Sequence, residues 1–319
     1  MMGNMMKVDL TVRPFLSDLQ FVEPRVGGAG LEAAELEASR RARRSPPERF
    51  QGRAGYDVDF LGFPIPLPDP AKFNRDVLEI EGSPENRLDY EHFSVVMSKS
   101  RRMPMFVGVN IDGEAAVRVV RSPPDKWFYD GRIPDEAQIG EELYADNILD
   151  RGHLVRREDP NWGETAETAN DDTFHFTNCT PQASHFNQQT WLSLENYILK
   201  NAKAQEAKVN VFSGPIFRDN DRLYRGVKIP VAYWKVISFV SNDGKPSSTA
   251  YTIDQVQELK ELEAVFGAFK TYQRSVRSIE KMTGLSFGQL RDYDGFSNEE
   301  QRTRTSIVAE VRDASDMRV

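Results

Sequence analysis

The sequence predicts an α+β domain built around a mostly antiparallel sheet. Three observations carry that expectation. Short β-rich runs are separated by turn-forming residues, the helical stripes of the main domain fall after residue 187, and no internal repeats are present. Apolar residues make up 39% of the 319 residues, enough for a substantial core and too much for a disordered chain. At roughly 100–200 residues per domain, the length allows one large domain or one and a half.

The elements follow in order. Residues 1–54 read as a separate extension, flexible or regulatory, and 55–319 as the main domain. Within the extension, Gly27-Gly28-Ala29-Gly30 is a flexible joint. Leu31 to Arg44 has helix-forming composition, begins acidic and ends in the basic cluster Arg40, Arg41, Arg43, Arg44, which suits the helix dipole. Ser45-Pro46-Pro47 stops it. The compact part is expected to start near Tyr56, and Pro64, Pro66, Pro68 and Pro70 mark an extended surface segment. Phe93–Met97 and Met105–Val109 are strand candidates, with a turn at Asn110-Ile111-Asp112-Gly113 and a continuing meander through Ala115–Val120. In Asp172–Thr177, Phe174 and Phe176 fall on one side and His175 on the other. Asn187–Ala204 predicts a helix with Trp191, Leu194, Ile198 and Leu199 as its apolar stripe. Strands are expected at Val209–Phe212, along Val227–Phe239 with a break at Pro230, and at Ser248–Ile253 after the Asn242-Asp243-Gly244 turn. Helices are expected at about 255–268 and 272–282.

Composition excludes several classes. The single cysteine, Cys179, rules out an intrachain disulfide and a cysteine-based zinc site. The sequence has no apolar run of about 18 residues and no apolar signal region at its start, so the expected compartment is the cytoplasm. The net charge of −8 argues against a nucleic-acid coat protein but not against an enzyme touching a few phosphates.

Residues 150–200 gather polar groups that a core does not need. Asp150-Arg151-Gly152-His153 places an acid, a cation, a flexible residue and an imidazole in succession, in what reads as a basic, glycine-containing turn. Arg156, Arg157, Asn178, Asn187 and Glu195 follow. Phosphodiester hydrolysis needs a base for water, a cation for the phosphate charge and fixed donors around phosphorus. Imidazole is the side chain that exchanges a proton near neutral pH, so His153 is the candidate general base. Asn187, opening a helix, would offer one amide oxygen to a hard cation and leave the rest of the shell to water, which suits Mg²⁺; capping the helix is its alternative role. Glu195 lies about two helical turns on and reads as holding a metal-bound water, with a solvated glutamate as the alternative. His175 and His185 read as structural or surface residues, His92 is uninformative, and Cys179 reads as a small buried residue rather than a nucleophile.

Asp150-Arg151-Gly152-His153, Thr177-Asn178-Cys179-Thr180-Pro181-Gln182, Phe186-Asn187-Gln188 and Trp191-Leu192-Ser193-Leu194-Glu195, in this order, resemble the signature of the DNA/RNA non-specific endonucleases. This is the ββα-metal family that includes endonuclease G and the Serratia-type nuclease. The resemblance runs from about Tyr90 to Asp294. It implies a ββα-metal fold and Mg²⁺, with Mn²⁺ as a substitute, held by Asn187 and through water by Glu195. It implies that Arg151 binds phosphate beside the base and that Asn178 belongs to the site, by a hydrogen bond there or a purely structural role. One of Arg101 and Arg102 would reach the phosphate, with Arg102 slightly favoured. Some relatives carry a further arginine four residues after the helix glutamate; here Leu199 stands there, leaving Lys200, Arg156 or Arg157 to supply that charge or the phosphate held less firmly.

The expected function is therefore a metal-dependent endonuclease cutting DNA and RNA to 5′-phosphate and 3′-hydroxyl ends. The alternative is a catalytically weak nucleic-acid-binding module on the same fold. A serine or cysteine hydrolase is not supported, because no G-x-S-x-G elbow is present. An unspecific nuclease in a cytoplasm requires control. This suggests a defence or toxin-like role with an inhibitor or an activating protease acting at Arg40–Arg44; relatives also make a homodimer an expectation.

Overall fold

The computed structural model describes residues 43–120, 125–145, 149–183, 198–200, 202, 207–241, 243–254, 270–311 and 316. In chain order its elements are β1 (Arg44–Ser45), β2 (Leu88–Tyr90), β3 (Phe93–Ser98), β4 (Met103–Asp112), β5 (Tyr129–Asp130), α1 (Glu141–Tyr144), β6 (Leu149–His153), α2 (Ala166–Asp172), β7 (Cys179–Ala183), β8 (Lys208–Pro215), β9 (Arg222–Tyr224), β10 (Val227–Ile229), β11 (Ala232–Val240), β12 (Pro246–Asp254), β13 (Lys270–Arg274), α3 (Val276–Thr283), α4 (Gly295–Thr303) and β14 (Val308–Val311).

Eight strands form one sheet in the order β14-β13-β12-β11-β8-β4-β3-β2, every neighbour antiparallel. Its central strands, such as β3, β4 and β11, are apolar on both faces because both faces are covered. Strand alternation sends Val95, Val107, Val109, Val211, Tyr233, Ile237 and Ile253 into one core, and Val96, Phe106, Phe212, Trp234, Val236 and Ala250 into the other. Leu199 and Ala202 help cover the first face, and Val276 and Ile279 of α3 the second. Ser275 caps α3 by accepting from Ser278 N, and Gly284 ends it with a left-handed φ of 70°. The fold is thus α+β about an antiparallel sheet, as the sequence predicts.

Several local expectations are corrected. Asn110-Ile111-Asp112 does not turn but completes β4; the reversal follows, where the Asp112 carboxylate accepts from Glu114 N and Ala115 N at 3.1 Å. Residues 115–120 add no strand beyond a single bridge from Ala116 to Trp162, because both edges of β4 are already taken by β3 and β8. Ser213-Gly214-Pro215 continues β8 rather than ending it. Residues 272–274 are strand rather than helix, and α3 begins only at Val276. That strand alternates by burying Thr271 and Gln273, polar side chains that hide its period from a hydropathy reading. Phe176–Asn178 is a short 3₁₀ turn leading into β7.

The expected helices at 31–44 and 255–268 and the first part of 187–204 lie outside the described residues, apart from Arg43 and Arg44; 198–200 and 202 are helical. Residues 43–54, read from the sequence as part of a separate extension, are bound into the domain. β1 pairs in parallel with β5, Phe50 is buried in the first core, and Arg53 Nε donates to Asp172 at 2.7 Å. The packed chain therefore begins before the boundary drawn at residue 54.

Candidate active site

Asp150-Arg151-Gly152-His153 is not a turn. It is strand β6, paired antiparallel with β7 so that His153 faces Cys179 and Arg151 faces Pro181. Gly152 is required there because a Cβ would fall 2.0 Å from the Gln182 side-chain carbon Cδ. A glycine that suggests a turn in the sequence is thus a close approach between neighbouring strands. The period of two places Arg151 and His153 on one face of the pair, with Gly152 and Asp150 on the other. Tyr233 Oη donates to Pro181 O at 2.8 Å, which fastens this small sheet to the large one.

His153 is half-buried against an aromatic bed. The Trp127 ring lies 4.5 Å from the imidazole, and Phe174 meets it edge-on at 5.2 Å. Arg151 Nη1 donates to Glu141 Oε1 at 2.6 Å, and Arg43 Nη1 reaches the other carboxylate oxygen at 3.2 Å. Arg151 keeps 31% of its side-chain surface and Glu141 41%, so the pair is open to solvent and contributes direction more than stability.

Asn178 is fully buried and fully engaged. Its Oδ1 accepts from Val155 N at 2.9 Å, and its Nδ2 donates to Val155 O at 2.9 Å and Thr173 O at 3.0 Å. Leu154 N also donates to Asn178 O at 3.0 Å. The residue clamps the chain immediately after His153, a positioning arrangement with no donor left for a substrate. Burial pushes the Cys179 thiol up to about 12, with Tyr144 and Arg151 opposing, so it is an inert core group.

The remaining arginines divide clearly. Arg101 is drawn inward, donating to Asp221 Oδ2 at 2.8 Å and Arg218 O at 2.7 Å. Arg102 stands at a left-handed φ of 57°, and its Nη2 lies 3.4 Å from Gly226 O. Arg157 is held by Asn170 Oδ1 at 2.9 Å, Glu158 Oε1 at 2.8 Å and Val119 O at 3.2 Å. Arg156 approaches Glu158 at 3.8 Å, and among the described residues its Nη1 has no hydrogen-bond partner. Leu199 is buried in the core, while Lys200 beside it is exposed.

Asn187, Glu195 and His185 lie outside the described residues. Among the described residues, no three His, Cys, Asp or Glu side chains gather to hold a metal. On the face that carries Arg151 and His153, the Glu141 carboxylate is already bound by Arg151, and the buried Gln182 Oε1 lies on the opposite, Gly152 face. With no cluster of charged ligands among the described residues, this face fits a metal held by one neutral oxygen and a shell of water.

His175 is structural. It is buried, its Nδ1 lies 2.9 Å from Asp172 O and its Nε2 2.9 Å from Ser45 Oγ. His92 is also buried, stacked 3.4 Å from Trp162. Two features of the site were not anticipated in the sequence, Glu141 and Trp127. No spacing rule ties either to residues 150–153, and only the tertiary fold brings them there.

A strand pair bearing an imidazole and a guanidinium on one face, set on a large antiparallel sheet, is consistent with the fold of the ββα-metal nucleases. The model of the DNA/RNA non-specific endonuclease family matches residues 69–294, and the chain belongs to that family. It is 43% identical over 249 residues to the uncharacterised protein y4fB of Sinorhizobium fredii, covering 73% of this chain and 37% of that protein. Human mitochondrial endonuclease G is 28% identical over 45% of this chain and 50% of its own length. The nuclease of Serratia marcescens is 34% identical over 35% of this chain and 41% of its own length. The chain thus spans half or less of these curated relatives. The solved EndoG/EndoGI complex contains a chain that superposes with a TM-score of 0.51 at 19% identity, covering 70% of this chain and 94% of that one. This likeness supports the fold.

Proposed function

We propose that this chain is a metal-dependent endonuclease that hydrolyses DNA and RNA with little sequence preference. The observation that carries the reading is the shared face of β6, where His153 rests on Trp127 and Arg151 is aimed by Glu141. In the proposed reaction, a water oxygen attacks phosphorus and its proton passes to His153. Arg151 balances the charge that grows on the phosphate oxygens. The bond to the 3′ oxygen breaks, and that oxygen takes up a proton, leaving 3′-hydroxyl and 5′-phosphate ends. Asn187, with Glu195 through water, would hold Mg²⁺ or Mn²⁺, which would supply further charge neutralisation at the phosphate and the leaving oxygen. Arg102 is the better placed of the upstream pair for the phosphate, because Arg101 is committed to Asp221. Arg156 and Lys200 are the remaining candidates for the charge that Leu199 cannot supply.

The test is degradation of plasmid DNA and RNA by the purified chain with Mg²⁺ or Mn²⁺. EDTA and His153→Ala are each expected to abolish it. Undiminished cleavage by His153→Ala would overturn the mechanism. Binding without cleavage across divalent metals would make the chain a nucleic-acid-binding module instead.

A further inference from the structure

The β9–β10 hairpin has a tip that local sequence preference does not favour. Tyr224 pairs with Val227 across a two-residue loop, Arg225-Gly226, with φ of 46° and 74°. Such loops favour Asn-Gly, and an arginine at positive φ is strained. The return is a fixed position. Arg225 Nη1 donates to Ala145 O at 2.7 Å, Glu142 O at 2.9 Å and Leu143 O at 3.4 Å, where α1 ends. The first residue of that helix, Glu141, holds Arg151. Gly226 O accepts from Arg102, and Arg101 braces the hairpin's root through Asp221 and Arg218. Val227 and Ile229 bury the inner face in the cluster that contains Trp127, Phe176 and Cys179. The hairpin is therefore locked beside both arginines of the proposed centre.

Its outer side is open. Leu223 is 66% exposed and pairs across the hairpin with Lys228, so the two share that face. Arg222 pairs with Ile229 and so belongs to the other face, but it is exposed at the hairpin's open end. From Arg222 to Ile229 the chain carries three cations and no acid, in a protein of net charge −8. Of the nearby acids, Asp221 is buried against Arg101, and Asp219 is exposed, its backbone carbonyl accepting from Lys228 Nζ at 3.1 Å.

We propose that this hairpin is a nucleic-acid docking element that prolongs the phosphate track away from the His153 strand. Lys228 meets a backbone phosphate and Leu223 the sugar beside it, while Arg222 reaches a second phosphate from the hairpin's open end. The inference rests on reading the His153 strand as a nuclease centre, but its test does not require cleavage.

Binding of a fluorescently labelled DNA duplex to the full chain is measured in EDTA over a salt series, alongside Arg222→Ala/Lys228→Ala and Leu223→Ala. Melting temperatures check that each variant is folded. The double variant is expected to bind about tenfold more weakly at low salt, with its salt slope reduced by up to about two, roughly 0.9 for each phosphate no longer met. Leu223→Ala is expected to weaken binding with the slope unchanged. Equal affinity and slope for wild type and double variant would overturn the proposal, as would no binding by wild type at low salt. A weakened double variant together with a wild type that cleaves nothing in Mg²⁺ or Mn²⁺ would refute the nuclease reading and leave the hairpin assignment standing.

Discussion

Two regions of the molecule use the same side-chain types for opposite ends. Around His175, an imidazole and a carboxylate are fully buried and an arginine is largely covered. Both ring nitrogens of His175 meet neutral oxygens, and Arg132 grips Asp130 with Nη2 at 2.7 Å while lying 3.8 Å over the Phe50 ring. Tyr90 Oη closes the network, 2.5 Å from both Asp130 Oδ2 and Thr177 Oγ1. Around His153, a half-buried imidazole and an arginine share one face of a strand pair, and the arginine meets a helix carboxylate with both partly in solvent. Burial and complete pairing make the first a joint of the scaffold, and the solvent-open ion pair of the second leaves Arg151 able to meet a ligand.

Exchanging the roles of the two histidines is the severest way to break this comparison. His153→Ala is expected to lower the cleavage rate by about 10²–10⁴-fold with little change in melting, the size of a lost general base. His175→Ala should do the reverse, destabilising by about 3 kcal/mol through a buried hole while the remaining folded protein keeps its turnover. Denaturant titration and initial rates on both variants decide the matter. If His175→Ala silences folded protein, the division between joint and site fails.

Asn178→Ala sharpens the boundary between the regions, because Asn178 ties the chain after His153 to Thr173 beside His175. Its loss leaves buried backbone groups unmet and is expected to cost about 1–3 kcal/mol. A reduced rate should accompany this in protein that remains folded.

The sealed region should also respond to acid. Burial lowers the affinity of His175 for a proton below its ordinary value of 6.5, against the pull of Asp130 and the Asp172 carbonyl, and burial lowers that of His92 in the same direction. The unfolded chain then binds more protons than the native one once the pH drops below about 6.5, so stability is complete above that value and declines beneath it. Asp130 adds to the trend at lower pH. Burial raises its proton affinity, but the Arg132 contacts outweigh this and hold its carboxyl below the ordinary 3.8. Urea midpoints at neutral and mildly acidic pH should separate, and His175→Gln should narrow the gap. An unaltered gap would remove His175 as its source.

The smallest effect concerns Glu141. Glu141→Gln should leave stability within about 1 kcal/mol, since the ion pair is exposed. It should reduce kcat/KM by a few-fold, because Arg151 loses its guide. No change in rate would mean that Arg151 needs none.

These comparisons also show what could be read in the sequence. Arg151 and His153 stood out by residue type, but their glycine suggested a turn, and their shared face follows only from the pairing of β6 with β7. The sheet was visible because Val, Ile, Phe and Tyr crowd its strands. Glu141 and Trp127 left no local mark, since chain reversals rather than spacing bring them to β6. Strand β13 was hidden by its buried Thr271 and Gln273, and the role of Gly152 by Gln182, which becomes its neighbour only when β7 is laid alongside.

The parallel pairing of Arg44–Ser45 with Tyr129–Asp130 bears on how such a protein could be switched on. Loss of the whole of 43–54 would take away the Ser45 hydroxyl that meets His175, the Phe50 ring under Arg132 and the Arg53 guanidinium that neutralises wholly buried Asp172. Any proteolytic trimming that keeps these supports therefore has to stop before Ser45; each step beyond it would loosen the scaffold.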